Sequence, residues 1–138
     1  MSDEVEINEV LAFKFRDEDL TFLNTMVNRF DFSMGITLIV QGSVISGQLI
    51  AGKKYYELTA EKLKSVGFVG EALSQYFESK ATNDYTSTDP DFVYPYNFLH
   101  LENVCIRQDN GQMNTLNNAL LRVKIEEIEG HIIGAAAI

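Results

Sequence analysis

The stretch from Ile36 to Ile50 constrains the fold most strongly. Two runs rich in β-branched and apolar residues flank the pair Gln41-Gly42. Such runs are typical of β-strands, and a glycine between them can adopt the positive φ that a two-residue hairpin turn requires. The sequence therefore predicts a β-hairpin, and we expect the rest of the chain to complete the sheet that this hairpin begins.

Gly47 lies inside the second arm of this hairpin. A glycine within a strand marks a sharp bend or a close approach of another backbone segment, and a small closed barrel needs such a bend. The alternative is a glycine that is tolerated at some entropic cost. The position favours a strongly curved sheet.

A short helix is predicted before the hairpin. Asp17 is a capping residue, acidic residues follow it, and apolar residues recur at helical spacing up to the Asp31-Phe32-Ser33 stretch. The apolar face comprises Leu20, Leu23, Met26, Val27 and Phe30. Residues 1–16 have no clear periodicity, and we interpret Val10 to Phe15 as a strand.

After the hairpin, apolar residues recur at threes and fours from Lys53 to Glu78, which predicts helix. Gly67 and Gly70 predict a break near residues 65–70, because each glycine costs about 1 kcal/mol inside a helix. Ser79 to Asn97 is rich in turn-forming residues and predicts a loop. Three further strands are predicted at Phe98–Arg107, Ala119–Glu126 and His131–Ala137. The sequence thus predicts a single domain, residues 1–138, in which residues 53–97 form a helical and loop insertion.

The net charge and the N-terminal sequence restrict the class of partner. The chain carries 11 basic and 20 acidic residues, a net charge of −9, which opposes binding to a phosphate backbone. The densest basic group, Lys53, Lys54, Lys62 and Lys64, is interleaved with glutamates and predicts a solvated helix face. No apolar run is long enough to cross a bilayer, and the acidic start lacks a secretion signal. We expect a cytoplasmic protein that binds neither nucleic acid nor membrane.

The residues that carry chemistry do not form a recognisable site. His100 and His131 lie on different predicted strands outside any metal-ligand motif, and we expect them to be partly exposed or hydrogen-bonded. Cys105, the single cysteine, lies within a strand and is expected to act as a small buried hydrophobe. Glu126, Glu127 and Glu129 crowd a hairpin tip. The sequence predicts no catalytic residue, no metal site and no cofactor, and therefore not an enzyme.

The order of elements resembles the Sm-like small barrel. Ile36 to Ile50 resembles the first Sm motif, and Phe98-Leu-His-Leu-Glu-Asn-Val104 resembles the third strand. The resemblance implies an α+β fold, a strongly bent five-stranded antiparallel β-barrel with an N-terminal helix and a helical insertion between strands 2 and 3. It also implies an alternative function, an oligomeric RNA- or nucleotide-binding module. The acidic and Arg-Gly signatures of RNA-binding Sm proteins are replaced here by Gly52-Lys-Lys-Tyr and Glu129-Gly-His131.

A second resemblance, to the GvpU family of gas vesicle accessory proteins, covers about Asp17 to Gly134. It is carried by the order and spacing of short segments, which are Ile36-Thr-Leu, Gly42-Ser-Val-Ile-Ser-Gly, Tyr55-Tyr56, Glu71-Ala-Leu-Ser-Gln-Tyr-Phe77, His100-Leu-Glu-Asn-Val and Val123-Lys-Ile-Glu-Glu-Ile-Glu-Gly130. The resemblance implies a non-enzymatic role in gas vesicle assembly or organisation, with vesicle shell or accessory proteins as partners.

Two segments are candidate interaction sites. The aromatic end of the predicted loop, Phe92, Tyr94 and Tyr96, is expected to bind a partner, although such a loop could instead cover the core. The apolar last strand, with Ile132, Ile133 and Ala135, is expected to present an edge for homo-oligomer formation, although it could instead close the chain's own barrel.

Overall fold

The computed structural model describes residues 15–136, so most of the predicted strand Val10–Phe15 lies outside the described residues. The described residues form an α+β fold. Its elements in chain order are α1 (Glu18–Phe30), β1 (Met34–Val40), β2 (Ser43–Ile50), α2 (Gly52–Leu63), α3 (Gly70–Tyr85), β3 (Phe98–Arg107), β4 (Met113–Thr115), β5 (Leu121–Lys124), a 3₁₀ turn (Ile125–Glu127) and β6 (Gly130–Ile133).

Helix α1 begins and ends as the sequence predicts. The side chain of Asp17 accepts a hydrogen bond from the backbone N–H of Leu20, and Asp31 ends the helix in the left-handed conformation with φ 49°. Leu20 and Val27 are buried against the sheet. Phe30, which was expected on the same face, is 61% exposed, so that part of the prediction was wrong.

The predicted hairpin is confirmed as β1 and β2. Val40 pairs with Ser43, and the two residues between them, Gln41 and Gly42, have φ values of 51° and 80°. Two successive positive φ values are the conformation that a tight two-residue hairpin turn requires. The hairpin lies at the centre of the sheet, whose strand order is β4-β3-β2-β1-β6.

The sheet is antiparallel, six-stranded and open. The prediction of a closed five-stranded barrel was therefore wrong. Strands β4 and β5 share one edge of β3: β5 pairs with Phe98–Leu101 and β4 with Cys105–Arg107. At the other end of the sheet β6 pairs with β1 alone among the described residues. Because β4, β5 and β6 have only three or four residues each, none provides a ladder long enough to join the two edges.

Gly47 marks the irregularity that the sequence suggested. The pairing of β2 with β3 shifts register between Ser46 and Gln48, which is a β-bulge. A Cβ atom on Gly47 would lie 2.9 Å from the backbone oxygen of Glu102, closer than side chains tolerate. The close backbone approach is therefore confirmed, and it bends β3 without closing a barrel.

The helical insertion consists of two helices, with the predicted break between them. Gly67 has φ 48° in the connection, and a Cβ on Gly70 would lie 2.6 Å from the backbone oxygen of Leu63. Helix α3 continues to Tyr85, so the predicted loop from Ser79 begins seven residues too early. The extension is stabilised because Ala81 and Tyr85 are buried against α2 and the sheet.

The C-terminal strands are shorter than predicted. The expected strand Ala119–Glu126 is reduced to β5 by the 3₁₀ turn at Ile125–Glu127, and the expected strand His131–Ala137 is reduced to β6. Strand β4 was not predicted at all. Its three residues are too few to show an alternating pattern.

The core has two parts. Aliphatic residues from α1 and the sheet form the larger part, with Leu20, Val27, Ile36, Leu38, Leu49, Leu99, Leu101, Val104 and Ile125 at its centre. A smaller aromatic part lies where α2, α3 and the following loop meet, built from Tyr56, Ala81, Tyr85 and Tyr94.

We expect Gly47→Ala to lower the free energy of unfolding by about 2 kcal/mol, because the new methyl group would overlap the β3 backbone. Gly130→Ala is the matched control: its Cβ would meet only Ile39 Cδ1 at 3.6 Å. The control should be neutral or slightly stabilising, by at most about 1 kcal/mol. Urea denaturation of both variants measures the difference, and equal unfolding free energies would contradict the bulge.

Candidate partner-binding groove

The loop between α3 and β3 is tied to helix α1 by charged and polar side chains. Arg29 donates from Nη1 to the backbone oxygen of Pro90 at 2.7 Å and from Nη2 to that of Phe92 at 2.8 Å. Arg16 donates to the side-chain oxygen of Asn97 at 3.0 Å. Because charge-assisted hydrogen bonds are stronger than neutral ones, the loop is held in a defined conformation.

The side-chain amides of two buried asparagines also connect the loop to α1. Asn24 is 1% exposed and donates from Nδ2 to the backbone oxygen of Pro95 at 3.1 Å. Asn28 donates to the backbone oxygen of Asn24 at 2.8 Å and accepts a hydrogen bond from the backbone N–H of Gly52 at 2.7 Å. The two amides thus join α1 to the loop and to the beginning of α2.

The structure places the three predicted loop residues differently. Tyr94 is 8% exposed and belongs to the aromatic part of the core, and Phe92 is half-buried, with its ring centroid 4.9 Å from that of Tyr94. Tyr96 is 42% exposed, and the Arg16 guanidinium lies over its ring at 4.7 Å. Tyr96 is therefore the only one of the three that presents a largely open ring to solvent, and partner binding by this loop stays a prediction.

Tyr96 forms one wall of an open groove of about 600 Å³ beside α1. Two further aromatic side chains line the groove, Phe22, which is 60% exposed, and Phe15, which is 66% exposed. The groove is completed by Arg16, Glu18, Thr21 and Thr25. Sequence reasoning did not identify Phe15 and Phe22 as candidate site residues. For Phe22 a signal was available, because it is an aromatic residue outside the apolar face of α1.

The groove is suited to binding rather than to reaction. Its walls offer aromatic surface, one guanidinium, one carboxylate and two hydroxyls. Aromatic rings and arginine are the groups that contribute most at protein interfaces, and an exposed ring costs free energy when no partner covers it.

The residues of the predicted edge strand are exposed. Ile132 and Ile133 are each 59% exposed on β6, and Ala135 is also exposed. On the protected side, β6 pairs with residues 36–39 of β1. Its other side has no strand partner among residues 15–136. Oligomer formation through this edge stays a prediction.

His100 differs from its expectation, because it is neither exposed nor hydrogen-bonded. Its exposed fraction is 0%, and neither ring nitrogen has a hydrogen-bond partner among residues 15–136. The ring stacks at 4.4 Å on Tyr55 and lies edge-on to Tyr56 and Tyr85. Burial, helped by the positive charge of Arg122, lowers the pKa of His100 from 6.5 to about 3. His100 is therefore a neutral member of the aromatic core at physiological pH.

His131 lies close to two carboxylates. The potential ligand atoms of Asp17, Asp19 and His131 are within 4.8 Å of one another, and these residues could hold a divalent cation. The same carboxylates also stabilise α1 without a metal, because Asp17 caps the helix and both lie at its positive end. The sequence could not reveal this proximity, since the histidine comes from the far end of the chain.

Cys105 behaves as the sequence predicts. It is 6% exposed, and its sulfur makes only weak contacts, at 3.7 Å to Thr115 Oγ1 and 3.8 Å to the backbone oxygen of Asn103. Of the predicted basic group, Lys62 and Lys64 are exposed, as a solvated face requires, and Lys64 forms ion pairs with Glu61 and Glu78. Lys54 differs, because it is half-buried and forms an ion pair with Glu102 of β3 at 2.6 Å.

The sequence matches the family of proteins described as gas vesicle protein GvpU-like over residues 17–136. The chain belongs to the GvpU-like family. The match covers α1 and every described strand and helix that follows, including both walls of the groove except Phe15 and Arg16. The GvpU-like resemblance is thereby confirmed.

Comparison with curated proteins gave no match, and comparison with solved structures gave none either. Within residues 15–136, no helix has the length and apolar character needed to cross a membrane.

The burial of His100 predicts a pH-dependent loss of stability. Its folded pKa of about 3 is below the unfolded value of 6.5, so its contribution is complete above pH 6.5 and is lost as the pH falls toward 3. Between pH 7 and pH 5 this group should remove about 2 kcal/mol from the free energy of unfolding. Urea denaturation at both pH values should show that His100→Leu loses about 2 kcal/mol less than the natural chain.

Phe68→Gln is the control for that measurement, because Phe68 is 99% exposed and the substitution involves no titratable group. This variant should keep the full loss between pH 7 and pH 5. An identical loss in His100→Leu and in the natural chain would show that His100 does not titrate as a buried group.

Proposed function

We propose that this protein is a non-enzymatic gas vesicle accessory protein, acting in vesicle assembly or organisation, and that it binds the vesicle shell through the groove beside α1. Membership of the GvpU-like family supports the gas vesicle context. The observation that supports the rest is the pair of exposed aromatic residues, Phe22 and Tyr96, which line the same groove of about 600 Å³. We place this activity in the cytoplasm.

The groove is favoured over the other exposed apolar surface at the α2–α3 connection. There Phe68 is 99% exposed, together with Val66 and Val69, but these three residues line neither the groove beside α1 nor the cleft between α2 and β3. A concave surface excludes water from more of the partner and lets anchor residues be fully desolvated. The groove wall is also fixed in advance by Arg16 and Asn24, which lowers the entropic cost of binding.

The Sm-like alternative is supported less well. Two features agree with the order of elements in an Sm-like protein: a helix precedes the hairpin, and an insertion separates the second and third strands. The open sheet does not agree with the closed Sm-like barrel. A net charge of −9 opposes binding to RNA, and no described feature favours that function.

Self-association through β6 is a second part of the proposal. Two adjacent exposed isoleucines, Ile132 and Ile133, lie on a strand whose outer edge has no partner strand in the described part of the chain, and such an edge allows strand addition by a second copy. Self-association would display several grooves at once, and linked binding events increase the total affinity for a repetitive surface.

Flotation with isolated gas vesicles tests the proposal. The natural chain should rise with the buoyant layer, and Phe22→Ser and Tyr96→Ser should each lower the co-floating fraction at least about fivefold, as expected when an aromatic anchor is removed. Phe68→Ser is the matched control, because it removes an even more exposed phenylalanine at the α2–α3 connection. All three side chains are largely outside the core, so the variants should remain folded.

Two outcomes would contradict the proposal. The natural chain could stay in the infranatant, which would exclude direct binding to the shell. Alternatively, Phe68→Ser could lose flotation while Phe22→Ser keeps it, which would move the binding surface to the α2–α3 connection.

Light scattering coupled to size-exclusion chromatography tests self-association. The natural chain should be heavier than its monomer mass of 15.6 kDa at tens of micromolar, and Ile132→Lys should shift it to the monomer because a charged side chain opposes edge pairing. Val66→Lys, at an exposed site distant in sequence from β6, should leave the mass unchanged. A monomeric natural chain would reject the edge interaction.

A further inference from the structure

The two parts of the core belong to different segments of the chain, and His100 lies where they meet. The residues of the aromatic part all come from the helical insertion, whereas the aliphatic part is built from other segments of the described chain. His100 is on β3, where side chains alternate between faces, and its neighbours Leu99 and Leu101 belong to the aliphatic part. The face of β3 that carries His100 is therefore the one that the α2–α3 hairpin (residues 52–85) covers.

The surroundings of His100 do not stabilise a positive charge. Its ring centroid lies 4.4 Å from that of Tyr55 and 5.8 Å from that of Tyr56, both on α2, and 5.9 Å from that of Tyr85 on α3. Within the described chain no group forms a hydrogen bond with either ring nitrogen. The attraction of a cation to tyrosine rings is smaller than the cost of burying an unpaired charge.

The remaining charged group beside His100 is a cation. Arg122 of β5 is its cross-strand partner, and the Arg122 guanidinium lies 5.9 Å from the centre of the Tyr56 ring. A protonated imidazole would thus be buried next to a second positive charge. Burial and this charge together lower the pKa of His100 to about 3. Protonation at mildly acidic pH therefore requires the imidazole to leave its aromatic surroundings.

The hairpin depends on this aromatic contact for its position on the sheet. An ion pair between Lys54 of α2 and Glu102 of β3 also joins the two, at 2.6 Å, but the Lys54 side chain is 43% exposed. Solvent-accessible ion pairs contribute little to stability. Helices α2 and α3 have 12 and 16 residues, and helices of this length are only marginally stable in water without packing.

We propose that His100 is an acid-sensitive latch, whose protonation separates the α2–α3 hairpin from the sheet while α1, β1 and β2 stay folded. The charged imidazole moves into water, and the covered face of β3 and the buried rings of Tyr56 and Tyr85 become accessible. The aliphatic part of the core, which does not include the hairpin, holds α1 and the sheet together. The latch does not depend on the function proposed for the groove beside α1.

The sign of the pH dependence follows from the two states of the imidazole. It binds a proton near pH 6.5 in the open state and only near pH 3 in the closed state, so the opening constant rises as the pH falls between these values. From pH 7 to pH 5 the rise is about 25-fold. Ordinary carboxylates are still mostly ionised at pH 5 and contribute little to this change.

Native-state hydrogen exchange of the full chain at pH 7 and pH 5, corrected for intrinsic exchange rates, tests the latch. Amides of α2 and α3 should have opening constants at least about tenfold larger than those of β1 and β2 at both pH values. Those constants should also rise about 25-fold at pH 5. Equal constants in the hairpin and in β1 and β2 would mean that only global unfolding exposes His100, and would overturn the proposal. Absence of the rise would overturn it too.

Two variants assign the pH dependence. In His100→Leu the opening constants of α2 and α3 should change less than about threefold between pH 7 and pH 5, because no imidazole is left to titrate there. Glu102→Gln is the matched control, since it removes the charge that pairs with Lys54 and leaves His100 in place. It should keep the rise of about 25-fold. A full rise in His100→Leu would assign the effect to another group and overturn the latch.

Discussion

The side-chain amide of Asn28 is the interaction on which the arrangement of the elements depends. Helix α2 begins directly after β2 with Ala51 at its N-cap, a residue whose side chain cannot accept a hydrogen bond from the first turn. Asn28 supplies the missing acceptor for Gly52 from a different helix and also donates to Asn24, which holds the loop at Pro95. Removal of this amide would leave buried polar groups unsatisfied, at a cost of about 1–3 kcal/mol each.

This network explains why the groove beside α1 has a defined shape. The loop that carries Tyr96 has no regular structure, and its position follows from bonds to three side chains of the α1 region, namely Arg16, Asn24 and Arg29. The inner rings of the loop, above all Tyr94, fill the aromatic core beside His100, and the outer ring is left for a partner. This short segment thus covers the aromatic part of the core with Tyr94 and exposes Tyr96, while partner binding by Tyr96 stays a prediction.

The sequence predicted the elements whose signals are local. Asp17 marked the start of α1, Gln41-Gly42 marked the hairpin, and Gly67 with Gly70 marked the helical break. Features that depend on distant partners were not predictable: the burial of His100 requires α2 and α3 to cover β3, and the extension of α3 requires Tyr85 to pack on Tyr56. The barrel was expected because Gly47 indicates a bend, but closure depends on strand lengths that the sequence did not define.

Hydrogen–deuterium exchange of the full chain, with and without isolated gas vesicles, tests the central claim most directly, because it reports the contacted surface without any substitution. The groove account predicts that vesicles slow amide exchange in residues 15–25 and 92–97 together, since both walls of the groove come from these segments. Slower exchange confined to residues 64–73 at the α2–α3 connection, with the two groove segments unchanged, would contradict it.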